Sequence, residues 1–205
     1  MTEPNVETAS LSGSGPRLWE AIAYAGRVHQ GQFRKGSCIP YISHPLAACS
    51  FALSFGATED EAIAAVLHDT AEDKGGESIL EEIRTIWGGH VESVVRACSD
   101  SLVADPANKL PWRQRKEDHL LHLEAAGRSV LLVTASDKLH NLQCMISDLH
   151  ITGPSVWQRF KTGPEEQIWY YDQCLRILSR VDSEPWNRPL LHAFGDLKTL
   201  YGVRS

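Results

Sequence analysis

The stretch AAVLHDTAED, Ala64–Asp73, begins as an apolar helical run and ends with His68, Asp69, Glu72 and Asp73 close together. On a helix, residues four apart share a face, so His68 aligns with Glu72 and Asp69 with Asp73, on adjoining faces. Burying so many ionisable groups costs several kcal/mol each unless they are paired or bound to a cation. A divalent ion resolves the conflict. Imidazole plus carboxylate makes a mixed nitrogen and oxygen site suited to Mn²⁺, Fe²⁺ or Zn²⁺. His68 and Asp69 cannot hold an ion alone, so further ligands must come from distant helices. His44 in PYISHP and Asp137 in SDKLHNL are the candidates, with Asn141 four residues beyond Asp137. His68 and Asp69 would then bind the metal, while Glu72 and Asp73 face the attacking water and the substrate.

Outward from this stretch, helix signals dominate. RLWEAIAYAGRVHQ has apolar residues at Leu18, Ile22, Ala25 and Val28 with helical spacing. HPLAACSFALSFG places Pro45 in a first turn and stops at Gly56. Thr58 followed by Glu61 reads as a capping box. ESILEEIRTIWGG, HVESVVRACSD, PWRQRKEDHLLHLEAAG, SVLLVTASDKLHNLQCMISDLH, PEEQIWYYDQCLRILSRV and LLHAFGDLKTLYG supply the remaining helices. SLVADPANKLP reads as a surface loop. No alternating period demands a sheet. The expected fold is all-α, a single helical bundle of about eight to ten helices, with a flexible tail over residues 1–15 and the folded domain over 16–205.

Composition narrows the classes. The chain has 205 residues, 42% hydrophobic and 22% charged, with formal net charge -6. This is an ordinary globular composition with no basic surface for duplex nucleic acid. The five cysteines are scattered, with no C-x-x-C pair, which fits a reducing cytoplasm. The apolar run around Val130–Val133 is too short to span a bilayer, and the N-terminus has no signal-peptide pattern. No membrane or nucleic-acid partner is expected. Composition does not indicate an oligomeric state.

RKGSCIPYISHP, LHDTAED and SDKLHNL, in this order and spacing, resemble the HD-domain hydrolase part of the RelA/SpoT alarmone enzymes. The stand-alone small alarmone hydrolases are the nearest in size, and the similarity runs over roughly Leu18 to Asp148. The resemblance implies that His44, His68, Asp69 and Asp137 are metal ligands, usually for Mn²⁺. It implies that Glu72 and Asp73 are the catalytic acidic pair that orients or deprotonates water. Arg34 and Lys35 would contact base and phosphates, and Asn141 would lie near ribose or phosphate. The activity implied is removal of the 3′-pyrophosphate of ppGpp or pppGpp, a small nucleotide substrate, without synthetase activity. A bound metal makes its water more acidic and neutralises phosphoryl charge. A carboxylate pair can take the proton, and Arg34 can grip phosphate in a two-pronged contact.

One departure stands out. Family members often read RKSG-x-PY, whereas GSCI separates Lys35 from Pro40 here, so the base pocket can differ. The alternatives are an HD phosphohydrolase of another nucleotide, such as an adenine alarmone, or a catalytically dead nucleotide-binding HD module. Blander readings accompany single residues: an ion pair with Lys138 for Asp137, a solvated helix end for Glu72 and Asp73, surface cations for Arg34 and Lys35. His119 and His122 read as a surface face, and Trp157, Trp169, Tyr170 and Tyr171 as core.

Overall fold

The computed structural model describes residues 15–103 and 105–202, so the expected tail lies, apart from Gly15, outside the described residues. Ten α-helices occur among them: α1 (Pro16–Val28), α2 (Ser43–Ser54), α3 (Glu59–Leu67), α4 (Thr70–Lys74), α5 (Glu77–Trp87), α6 (Gly89–Cys98), α7 (Trp112–Glu124), α8 (Arg128–Thr152), α9 (Pro164–Leu178) and α10 (Asn187–Tyr201). Short 3₁₀ segments span Pro106–Asn108 and Gly153–Arg159. The only extended pairing among the described residues is an isolated antiparallel bridge between Phe33 and Pro40. The fold is all-α.

Helix α8 is the axis of the molecule. Its Leu131–Asp137 run is buried on every side, because α2, α3, α6, α9 and α10 all pack against it. That is why its sequence shows little amphipathic pattern. Helix α3 is also enclosed, with Ala62 through Leu67 all buried. Its start is fixed by a capping box: Thr58 Oγ1 accepts the Glu61 amide at 3.3 Å, and Glu61 Oε2 accepts the Thr58 amide at 2.7 Å.

Two boundaries differ from those read off the sequence. The helix expected to carry His68 through Asp73 on continuous faces is broken. Helix α3 ends at Leu67 and α4 begins at Thr70, so His68 and Asp69 occupy the junction. Local side chains cause the break. The Thr70 hydroxyl donates to the Leu67 carbonyl at 2.6 Å, and His68 Nδ1 bonds the Ala65 carbonyl at 2.8 Å. These bonds satisfy carbonyls that a continuing helix would have used. The second difference is at α10, which begins at Asn187 rather than Leu190. Pro189 falls in the first turn, where a missing N–H costs nothing, and the fully buried Trp186 anchors the entry. No described helix is long and apolar enough to cross a membrane.

Candidate functional site

Helix α2, the α3–α4 junction and α8 converge on one cluster. His44 Nε2 stands 3.3 Å from Asp69 Oδ2 and 3.1 Å from Asp137 Oδ1. His68 Nε2 stands 3.2 Å from Asp69 Oδ2 and 3.8 Å from Asp137 Oδ1. Ligand atoms of His44, His68 and Asp69 all lie within 4.8 Å of one another, and Asp137 closes the group through its contacts with both imidazoles. His44, His68 and Asp137 are buried, and Asp69 is partly open to the cleft.

The surroundings orient these atoms. The His68 Nδ1 contact to Ala65 turns Nε2 toward the cluster. His44 Nδ1 is 2.7 Å from His140 Nδ1. The Tyr41 hydroxyl donates to Asp69 Oδ2 at 2.6 Å. Lys138 Nζ binds Asp137 Oδ2 at 2.6 Å and Asn141 Nδ2 binds Asp137 Oδ1 at 2.5 Å. Asn141 Oδ1 in turn accepts from Arg34 Nη2 at 2.8 Å. The Asp137–Lys138 ion pair therefore exists, and it occupies the carboxylate oxygen opposite the one that faces the imidazoles.

Burial opposes charge on His68, Asp69 and Asp137, and the partners outweigh it. Asp69 and Asp137 hold His68 well above the imidazole range. The His68 and His44 imidazoles hold Asp69 well below the carboxylate range, and Lys138 with the same two imidazoles does so for Asp137. The two carboxylates thus face two imidazoles at this point, with Lys138 beside Asp137. His68 Nε2 is buried with no hydrogen-bond partner among the described residues. Two imidazole nitrogens and two carboxylate oxygens turned toward one centre fit a first-row divalent ion.

Glu72 and Asp73 flank this cluster on different sides. Glu72 Oε2 accepts the Asp100 amide at 2.9 Å, and burial and the Asp100 carboxylate push Glu72 up to about 8. Asp100 is itself bound by Arg115 and Lys116, each at 2.5 Å. Asp73 Oδ2 accepts from Gln32 Nε2 at 2.7 Å. Partial desolvation and the neighbouring Asp69 raise Asp73 above the usual carboxylate range.

A cavity of about 180 Å³ opens beside the cluster, lined by Arg34, Tyr41, His44, Asp69, Glu72, Cys98, Asp100, Lys116, His119, Asp137, Lys138, Asn141 and Tyr170. Its three cations, Arg34, Lys116 and Lys138, share the wall with four carboxylates, and Lys116 and Lys138 are paired with Asp100 and Asp137. Lys35 is not among its walls. It is exposed, with Nζ 5.3 Å from the Phe160 ring centre, and partial desolvation with Lys161 lowers its pKa. Gly36, in the left-handed region at φ 71°, lets this unusual loop approach the Arg159 side chain closely.

His119 is not a surface residue. It is 4% exposed and forms part of the cavity wall, and burial with Lys138 lowers it to about 3. Tyr170 is core, as its pattern suggests, and also a cavity wall. Tyr41 and Lys138 lie inside the quoted motifs and could have been weighed by position, three residues before His44 and next to Asp137. Asp100, Lys116 and His119 carry no local signal, because only tertiary packing brings them in.

The HD domain family model matches residues 21–161. A GTP pyrophosphokinase of Streptomyces coelicolor is 30% identical over 151 residues, covering 70% of this chain and 16% of that protein. A probable GTP pyrophosphokinase of Mycobacterium leprae is 32% identical over 127 residues, 61% of this chain and 15% of that protein. The chain thus spans about a sixth of the length of these curated relatives. A solved structure of a metazoan ortholog of SpoT, described as hydrolysing ppGpp and playing a role in starvation responses, superposes with TM-score 0.72 at 22% identity. It covers 89% of this chain and 96% of that one. A solved structure from Listeria monocytogenes EGD-e gives TM-score 0.66 at 26% identity, over 80% of this chain and 96% of that one. With the His–Asp cluster at the meeting point of α2, α3 and α8, and a family match over most of its helices, the chain belongs to the HD-domain family.

Proposed function

We propose that this chain is a Mn²⁺-dependent pyrophosphohydrolase that removes the 3′-pyrophosphate of ppGpp or pppGpp, giving GDP or GTP. The observation that carries the reading is the four-atom His–Asp cluster beside a cavity walled by Arg34, Lys116 and Lys138. Such a cavity suits a substrate with several phosphates. The solved metazoan relative with the same helical fold is described as hydrolysing ppGpp, which supports the guanosine alarmone as substrate.

His44, His68, Asp69 and Asp137 would hold the ion. When bound, it supplies a more acidic water and neutralises phosphoryl charge. The remaining work belongs to the chain. Asp73, a stronger base than an ordinary carboxylate, accepts a proton from the attacking water. The new bond joins that water oxygen to phosphorus, and the bond that breaks is phosphorus to the ribose 3′-oxygen. Glu72, pushed up to about 8, keeps its proton near neutrality and delivers it to the departing 3′-oxygen. Arg34 and Lys116 bind phosphate oxygens, and Asn141 fixes the Arg34 guanidinium. Lys35, outside the cavity wall, meets the outer phosphates at the rim.

The test is incubation of the Mn²⁺-loaded protein with ppGpp, pppGpp and their adenine counterparts, with products separated by chromatography. Pyrophosphate with GDP or GTP is expected. Glu72→Gln and Asp73→Asn keep the metal and lose about 10² to 10⁴-fold in turnover. No pyrophosphate from any of these substrates sinks the reading.

A further inference from the structure

His29 is 2% exposed, closes the C-terminus of α1, and lies outside the cavity wall. Its amide donates to the Ala25 carbonyl at 2.9 Å. Its ring packs on the Tyr41 ring, centroids 4.9 Å apart. Nδ1 stands 3.0 Å from Gln32 Oε1, and Gln32 Nε2 binds Asp73 Oδ2 at 2.7 Å. His29 Nε2 is buried with no hydrogen-bond partner among the described residues.

Donor logic fixes the direction of this chain. An ionised carboxylate has no proton to give, so the Gln32 amide must turn its nitrogen to Asp73. Its oxygen then faces His29 and requires a proton on Nδ1, which leaves Nε2 as a bare lone pair. The Gln32 oxygen therefore selects the Nδ1–H tautomer of His29. The Gln32 backbone is held as well. Its amide donates to the His29 carbonyl at 3.0 Å, and its carbonyl accepts the Tyr41 amide at 2.9 Å. Tyr41 reaches Asp69 through its hydroxyl at 2.6 Å. One residue therefore braces two carboxylates: Asp73 through its side chain and Asp69 through Tyr41.

We propose that His29 and Gln32 are positioning residues that aim the Asp73 carboxylate, with His29 fixing the orientation of the Gln32 amide so that a donor always faces Asp73. The role rests on the hydrolytic reading of Asp73 given above. Without His29 the amide keeps only its bond to Asp73 and loses the second anchor that fixes its plane. A neutral imidazole is needed for this, and burial lowers the His29 pKa and favours that form.

The test separates the hydrogen bond from the packing. Gln32→Ala lowers kcat roughly 10- to 100-fold, with KM for ppGpp and Mn²⁺ content unchanged. Gln32→Glu falls at least as far, since a carboxylate then faces a carboxylate. At His29, asparagine reproduces the Nδ1 donor in a smaller side chain, whereas phenylalanine fills the volume without a donor. His29→Asn therefore retains most of the turnover, and His29→Phe falls to the level of Gln32→Ala. Activity in His29→Phe with loss in His29→Asn overturns the proposal and leaves a packing role. A wild-type kcat in Gln32→Ala overturns it too. The ¹⁵N spectrum of His29 in the unaltered protein needs no substrate and no variant: the proton is expected on Nδ1, and a proton on Nε2 refutes the brace. Wild-type protein that releases no pyrophosphate fails the hydrolase reading instead, and the ¹⁵N result still decides the brace.

Discussion

Glu72 illustrates how much a single side chain depends on its setting. Burial and Asp100 raise it from an ordinary value of 4.5 to about 8. A carboxylate whose folded pKa is raised contributes stability that is fully present below its unfolded value and is lost as pH rises through the folded one. The metal-free protein should therefore lose stability between about pH 4.5 and pH 8 through this group. Glu72→Gln removes the titration, so its stability relative to wild type should improve across that window, as read by denaturant unfolding at a series of pH values. A difference that stays flat with pH contradicts the assignment. Asp137 faces the opposite risk. Asp137→Ala leaves Lys138 without its carboxylate, and stranding a buried partner costs about 3–5 kcal/mol. The expected outcome is a lower Tm together with loss of bound divalent metal by elemental analysis. Full metal occupancy in that variant removes Asp137 from the ligand set. At this scale, the convergence of His44, His68, Asp69 and Asp137 was legible, because imidazole and carboxylate within apolar stretches are costly without a partner. The place of Lys35 was not legible: adjacency to Arg34 in sequence says nothing about which side of a loop a cation leaves from, and Lys35 stands outside the cavity wall.

The break between α3 and α4 shows the same limit for elements. Helical spacing brought out the apolar run to Leu67, yet the hydroxyl of Thr70 and the imidazole of His68 end that helix by bonding its carbonyls. Polar side chains that compete with the backbone leave no trace in an apolar period. Most other elements were legible, since capping residues, glycine stops and spacing agreed. The turn after α4 carries its own prediction. Gly76 adopts φ 56°, ψ -127°, and a Cβ there would lie 2.3 Å from the Leu102 carbonyl oxygen. That approach holds the segment after α6, whose Asp100 amide binds Glu72. Gly76→Ala should cost about 1–3 kcal/mol from the backbone conformation alone, with more from the clash. Turnover should fall alongside Tm, because the segment is displaced from Glu72. A variant with normal Tm and activity would show that the segment shifts freely.

Across the whole molecule, α8 gathers what the chain scatters. The sequence announced an all-α bundle through repeated 3.6-residue patterns, but it could not announce which helix would be central. That follows from α8 being apolar on all sides, so that five helices can pack on it. The cavity is legible only in part for the same reason: its far wall is assembled by Asp100 from the segment after α6, Lys116 and His119 from α7, and Tyr170 from α9. The remote origin of the cluster also has a kinetic consequence. His44, His68 with Asp69, and Asp137 sit on three segments that meet only when α2, α3 and α8 have docked. Contacts between distant segments form late in folding. An ion that needs all of them meets no assembled site in the barrier state and can only delay the way out. At about 100 times Kd, a bound divalent ion adds about 2.7 kcal/mol of stability. That free energy should appear as unfolding slowed about 100-fold in stopped-flow chevrons, with refolding unchanged. Faster refolding instead would mean that the three segments already stand together at the barrier.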